Sequence, residues 1–143
     1  MLNYLLDTNH LSPLVTPGHP LRARIAGTME HGTEFAILAV VLAESLFGIQ
    51  SLPRAQANLA EWSRLQGSFG YFPIVKDDAE DAANLQFAMR RQGWQLALVD
   101  ALIAVIAIRS NLVLLTTDGD FQFIPNLQQE NWLKPLWQLW KTR

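Results

Sequence analysis

Short apolar runs alternate along the chain with longer stretches in which apolar residues recur every three or four positions. That alternation predicts an α/β domain built round a mainly parallel sheet. Leu2 to Leu6 reads as a first strand, ending in Asp7-Thr8-Asn9, a turn in which Thr8 or Asn9 caps the next helix. Pro13, Pro17 and Pro20 break the next stretch into short helical pieces up to about His31. Phe35 to Ala39 predicts a second strand, passing near Val40 into a helix that continues to about Ser51. Pro53 suits the first turn of another helix to about Gln66, and Tyr71 to Val75 a third strand. Asp77 and Asp78 open a helix that Gly93 closes after about Gln92. Leu98 to Ser110 is nearly all apolar and predicts a buried helix, followed by a fourth strand at Leu112 to Thr116 and a small closing element at Phe121 to Ile124.

Against this pattern, three carboxylates stand alone in uncharged surroundings. Asp7 is the only Lys, Arg, Asp or Glu between Met1 and Leu21, Glu44 the only one between Phe35 and Pro53, and Asp100 the only one between Gln92 and Ile108. Asp118 follows the run Leu112-Val113-Leu114-Leu115 after only Thr116 and Thr117. An ionised carboxylate is costly in apolar surroundings unless it is paired or binds a metal. Too few bases lie nearby in sequence to neutralise these four. Ligands of open α/β sheets bind beyond the carboxyl ends of the strands, where Asp7 and Asp118 fall, and Glu44 and Asp100 lie near the starts of their helices, so all four can face one crevice. Oxygen-only ligation suits Mg²⁺ or Mn²⁺, and phosphodiester hydrolysis is the chemistry such a site performs.

Composition narrows the picture without changing it. The 143 residues, 50% hydrophobic and 17% charged, fit one domain with an ample core. The absence of cysteine removes disulfides, thiolate nucleophiles and Cys-based zinc sites. The first residues lack the basic start and long apolar stretch of a signal peptide, and the apolar runs around Glu44 and Asp100 are too short for bilayer spans, so the expectation is a soluble cytoplasmic protein. A net charge of −2 neither draws nor repels nucleic acid globally, since phosphate binding needs only a local patch. Phosphate-binding glycine loops, an EF-hand, a Gly-x-Ser-x-Gly elbow and the paired aspartates of phosphoaspartate hydrolases are all missing.

Four segments carry a family resemblance: Leu5-Leu6-Asp7-Thr8-Asn9, Leu42-Ala43-Glu44-Ser45-Leu46-Phe47-Gly48-Ile49, Val99-Asp100-Ala101-Leu102-Ile103-Ala104 and Leu115-Thr116-Thr117-Asp118-Gly119-Asp120-Phe121. In order and spacing the chain resembles PIN-domain nucleases of the VapC toxin type. The resemblance implies a three-layer PIN-like fold over residues 1–143, a mainly parallel central sheet with helices on both faces, and a Trp-rich tail at 132–143. It implies that Asp7, Glu44, Asp100 and Asp118 are the catalytic, metal-binding acids for Mg²⁺ or Mn²⁺, with Asp120 a fifth ligand and Thr117 orienting a water or ligand beside them. It further implies RNA as substrate, a homodimer, and an antitoxin partner whose segment enters the acidic groove and brings an Arg to displace or crowd the metal. The chain departs from the family at His10, where an aliphatic residue is common, and at Val41, where threonine or serine often precedes the glutamate by three residues. Two other readings are carried beside the ribonuclease: a non-catalytic PIN-like module that binds RNA or protein, and a structure-specific DNA nuclease, which so short a chain disfavours.

The remaining polar and aromatic groups have plainer explanations. Asp77, Asp78, Glu80 and Asp81 suit the positive end of a helix dipole. Arg22, Arg24, Arg90, Arg91, Lys134, Lys141 and Arg143 read as solvated faces, His10 as a packing residue, and Trp62, Phe69, Tyr71 and Phe72 as core rather than base-stacking groups. In the tail, Leu133, Leu136, Trp137 and Trp140 recur at helical spacing with Pro135 tolerable in a first turn. Such a stripe needs cover, either from the chain's own core or from a dimer mate or antitoxin.

Overall fold

A computed structural model describes residues 3–134. Five strands form one sheet in the order β3-β2-β1-β4-β5, and every neighbouring pair is parallel. The strands are β1 (Asn3–Leu6), β2 (Phe35–Leu38), β3 (Gly70–Phe72), β4 (Leu112–Leu115) and β5 (Gln129–Glu130). Between them run α1 (Thr8–Leu11), α2 (Pro20–Glu30), α3 (Ala39–Gln50), α4 (Ala55–Leu65), α5 (Lys76–Arg91) and α6 (Leu98–Arg109). With the right-handed crossovers that parallel strands adopt as a rule, this order puts α1 to α4 on one face while the chain steps from β1 to β3, and α5 and α6 on the other as it returns to β4. The packing follows this division, with α3 against α1 and α4, and α5 against α6. β2 and β4 are buried at every position, as strands covered on both faces must be.

Element boundaries depart from the sequence reading where local chemistry intervenes. Asp7, rather than Thr8 or Asn9, caps α1, its carboxylate accepting from the Thr8 amide at 2.8 Å. β3 ends at Phe72 because Pro73 has no N–H to continue the ladder. Pro53 precedes its helix by two residues, since α4 begins at Ala55. Phe121 and Ile124 act as buried plugs after β4, with only a short 3₁₀ turn at Gly119–Phe121, and the closing strand is β5 further on. It carries no apolar pattern and is held by backbone bonds, Leu114 N–H to Gln128 O at 2.9 Å and Thr116 N–H to Glu130 O at 3.0 Å.

Asp78 is more than a helix-dipole partner. It is 1% exposed, accepts from the Val75 amide at 2.9 Å and pairs with Arg109, tying the start of α5 to the end of α6. Arg22 reaches Glu61 of α4 at 2.7 Å, so it is not a merely solvated base. Trp62 and Phe69 stack in the core as expected, whereas Tyr71 is 40% exposed.

Of the expected tail stripe only Leu133, which packs against the core, lies within the described residues; the tail's first tryptophan, Trp132, which precedes the stripe, is also described. Trp132 packs edge-on against Tyr4 and Phe35, centroids 4.8 and 5.8 Å away, and the Arg24 guanidinium lies 3.8 Å from its ring centre. Trp132 therefore docks on the chain's own core. Truncation after Asn131 removes this plug and should lower the unfolding free energy by about 3–5 kcal/mol, the range for deleting a large aromatic from a core. Urea denaturation checks it, and a midpoint equal to that of the full chain refutes it. No helix among the described residues is long and apolar enough to cross a membrane.

Candidate metal centre

The chain reverses its direction of travel across the sheet between β1 and β4, which opens a crevice beyond their carboxyl ends. Asp7 leaves the end of β1 and Asp118 follows β4 by three residues. Glu44 projects from the second turn of α3 and Asp100 sits in the first turn of α6. Asp7, Thr8, Asn9, Glu44, Ala97, Val99, Asp100 and Asp118 line one cleft of about 470 Å³. Asp100, Asp118 and Asp120 each offer a carboxylate oxygen lying within 4.8 Å of the other two. Asp100 and Asp118 belong to both groups, so the five expected acids surround one place.

Their environments differ. Asp7 is 7% exposed, whereas Glu44 and Asp120 are open to solvent, so the cost of a buried charge falls on Asp7 and, in part, on half-buried Asp100. Burial first, and then the negative charges of Asp118, Asp7, Asp120 and Glu44, together raise the Asp100 carboxyl to about 6. Among the described residues none of the five is in an ion pair; the pairs join Glu61, Glu80 and Asp78 to their bases. A set of oxygen donors without ion pairs among the described residues, one of them with its pKa raised by burial and by its neighbours' charge, fits a hard divalent cation.

Asp7 is also the most constrained. Its Oδ2 accepts from the Thr116 hydroxyl at 2.7 Å and from Asn9 Nδ2 at 3.3 Å, while Thr116 Oγ1 accepts the Asp118 amide at 3.0 Å. One buried hydroxyl thus spaces the acids after β1 and β4. Asp118 in turn accepts the Asp120 amide at 2.9 Å, which turns the loop so that Asp120 faces its neighbours.

A model of the family described as "PIN domain" matches residues 4–127. The chain belongs to the PIN domain family. Among solved structures this PIN domain is similar to VapBC2 from Rickettsia felis bound to a promoter DNA fragment, with TM-score 0.79 and 23% identity over 92% of this chain and 99% of that one. A DNA-bound VapBC from Salmonella typhimurium gives TM-score 0.77 and 22% identity over 92% and 99%. A toxin-antitoxin complex from Klebsiella pneumoniae gives TM-score 0.62 and 27% identity over 87% and 94%. No match to the chain was found among curated proteins.

Sequence reasoning missed two residues of this PIN domain's site. The hydroxyl that bridges Asp7 and Asp118 is that of Thr116, while Thr117 contributes its backbone N–H to Asn9 Oδ1 at 3.1 Å. Asn9 joins both ends of the crevice. The available signal was position: Thr116 directly follows a four-residue apolar strand and remains 4% exposed, a place where a hydroxyl must find partners.

Proposed function

We propose that this PIN domain is a divalent-metal-dependent endoribonuclease acting as the VapC-type toxin of a toxin-antitoxin pair. The observation that carries the reading is the gathering of Asp7, Glu44, Asp100 and Asp118 along one cleft, with Asp120 beside Asp100 and Asp118, and with none of the five in an ion pair among the described residues. These five would hold Mg²⁺ or Mn²⁺. When bound, the ion supplies positive charge against a phosphodiester and acidifies an attacking water. The protein's share is geometric: Thr116 and Asn9 aim the Asp7 carboxylate, and the capped loop after β4 presents Asp118 and Asp120. Toxin membership is supported by the similar structures, which are VapBC and toxin-antitoxin complexes. On that reading the protein is cytoplasmic, homodimeric, and restrained by an antitoxin segment laid in the acidic groove.

Incubation of the purified protein with total RNA in Mg²⁺, Mn²⁺ or chelator tests the proposal. Discrete fragments should form with either metal and none with chelator. RNA that is retained but uncut under every condition would identify a non-catalytic binding module instead.

A further inference from the structure

His10 is fully buried, and both of its ring nitrogens are engaged. Its Nε2 lies 3.0 Å from the backbone nitrogen of Trp132, which can only donate, so Nε2 accepts. A neutral imidazole with one accepting nitrogen carries its proton on the other. Nδ1–H therefore donates to Asn9 Oδ1, 2.7 Å away. That oxygen also receives the Thr117 amide at 3.1 Å, and the two donors decide which way the Asn9 amide faces. With the oxygen claimed, the NH₂ group points to Asp7 Oδ2 at 3.3 Å and Thr116 Oγ1 at 3.5 Å. Trp132 is held in its turn by Tyr4, Phe35 and Arg24.

We propose that His10 is a positioning residue that links the backbone of Trp132, through the Asn9 amide, to the carboxylate of Asp7. Seating of the segment after β5 thereby sets the orientation of an acid at the metal centre. Its consequence for metal binding rests on the ribonuclease reading above; the link itself does not. His10 is fully buried and does not line the cleft of the acids. Partners behind a metal-site acid commonly govern affinity about 10–100-fold.

The test separates the link from packing. His10→Gln retains an acceptor able to reach the Trp132 amide but not the donor to Asn9, and His10→Leu removes both. In the metal-free wild type, ¹⁵N spectra should show His10 protonated at Nδ1, and the Asn9 side-chain amide resonances should move in His10→Gln. Protonation at Nε2, or Asn9 resonances unmoved, overturns the link whatever the protein does to RNA. Calorimetric titration with Mn²⁺ should show about tenfold weaker binding in His10→Gln and in Asn9→Ala, with the double variant no weaker than Asn9→Ala alone. Affinity within about twofold of wild type in His10→Gln, or additive losses in the double variant, overturns the coupling to Asp7. A wild type that binds no Mn²⁺ while both spectral signatures hold removes the metal reading, and with it the coupling to metal, and leaves the His10–Asn9 link standing.

Discussion

RNA cleavage should fall by about a thousandfold or more when Asp7 or Asp100 is replaced by asparagine, or Glu44 by glutamine. Each amide preserves volume and removes the negative charge that a divalent ion requires. The ion's stabilisation of a transition state amounts to several kcal/mol, and each loss of about 1.4 kcal/mol is tenfold in rate. Circular dichroism should be unchanged, because Glu44 and Asp100 line an open cleft and the Asp7→Asn side chain keeps an oxygen to cap α1. Asp120→Asn should be milder, since Asp120 is exposed and does not line that cleft. Near wild-type cleavage by both the Asp7 and the Asp100 variants would remove the nuclease assignment while leaving the family membership untouched.

Without metal, Asp100→Asn should stabilise the protein at neutral pH. The Asp100 carboxyl is raised from 3.8 to about 6, so folding favours its protonated form. Below pH 3.8 the group is protonated in both states and costs nothing. As pH rises, the unfolded chain ionises first, stability is lost through the window between 3.8 and about 6, and above it the loss is complete. The ceiling is about 3 kcal/mol, lowered by water in the open cleft. Calorimetric scans in chelator should therefore show Asp100→Asn melting higher than wild type at about pH 7.5 and alike at about pH 3.5. On the proposed reading Mn²⁺ would bind the ionised cluster, so it should raise the wild-type melting temperature at about pH 7.5 and raise that of Asp7→Asn and Asp100→Asn less. An equal metal response in all three proteins would mean that these acids do not share an ion.

The parts of this protein that were legible beforehand are those whose cause is local. The apolar runs of β1, β2 and β4 and the periodic stretches of α3, α5 and α6 announce themselves because burial on two faces, or on one stripe, dictates composition. Asp7 and Asp100 were legible for the converse reason, a charge in a neighbourhood that rejects charge. Glu44 was marked out by the same reasoning although it is exposed, so its isolation in sequence came from the apolar face of α3 rather than from burial of its own side chain. What escaped is non-local. β5 exists only because its backbone finds β4, and the Thr116 bond to Asp7 joins residues 109 apart in the chain. The pairing of Asp78 with Arg109 likewise needs α5 and α6 to be packed before either partner is in reach.

Because β1 pairs with β4, the acids of the crevice come together only when the beginning of the chain meets its last third. A ribosome-borne chain that has released Asp7 and Glu44 possesses neither Asp100 nor Asp118, and closing so long a loop comes late in folding. Premature termination before β4 thus yields a fragment without the complete acidic crevice. On the toxin reading, synthesis itself provides a grace period: the messenger and ribosome making the protein are spared until most of the polypeptide has been delivered.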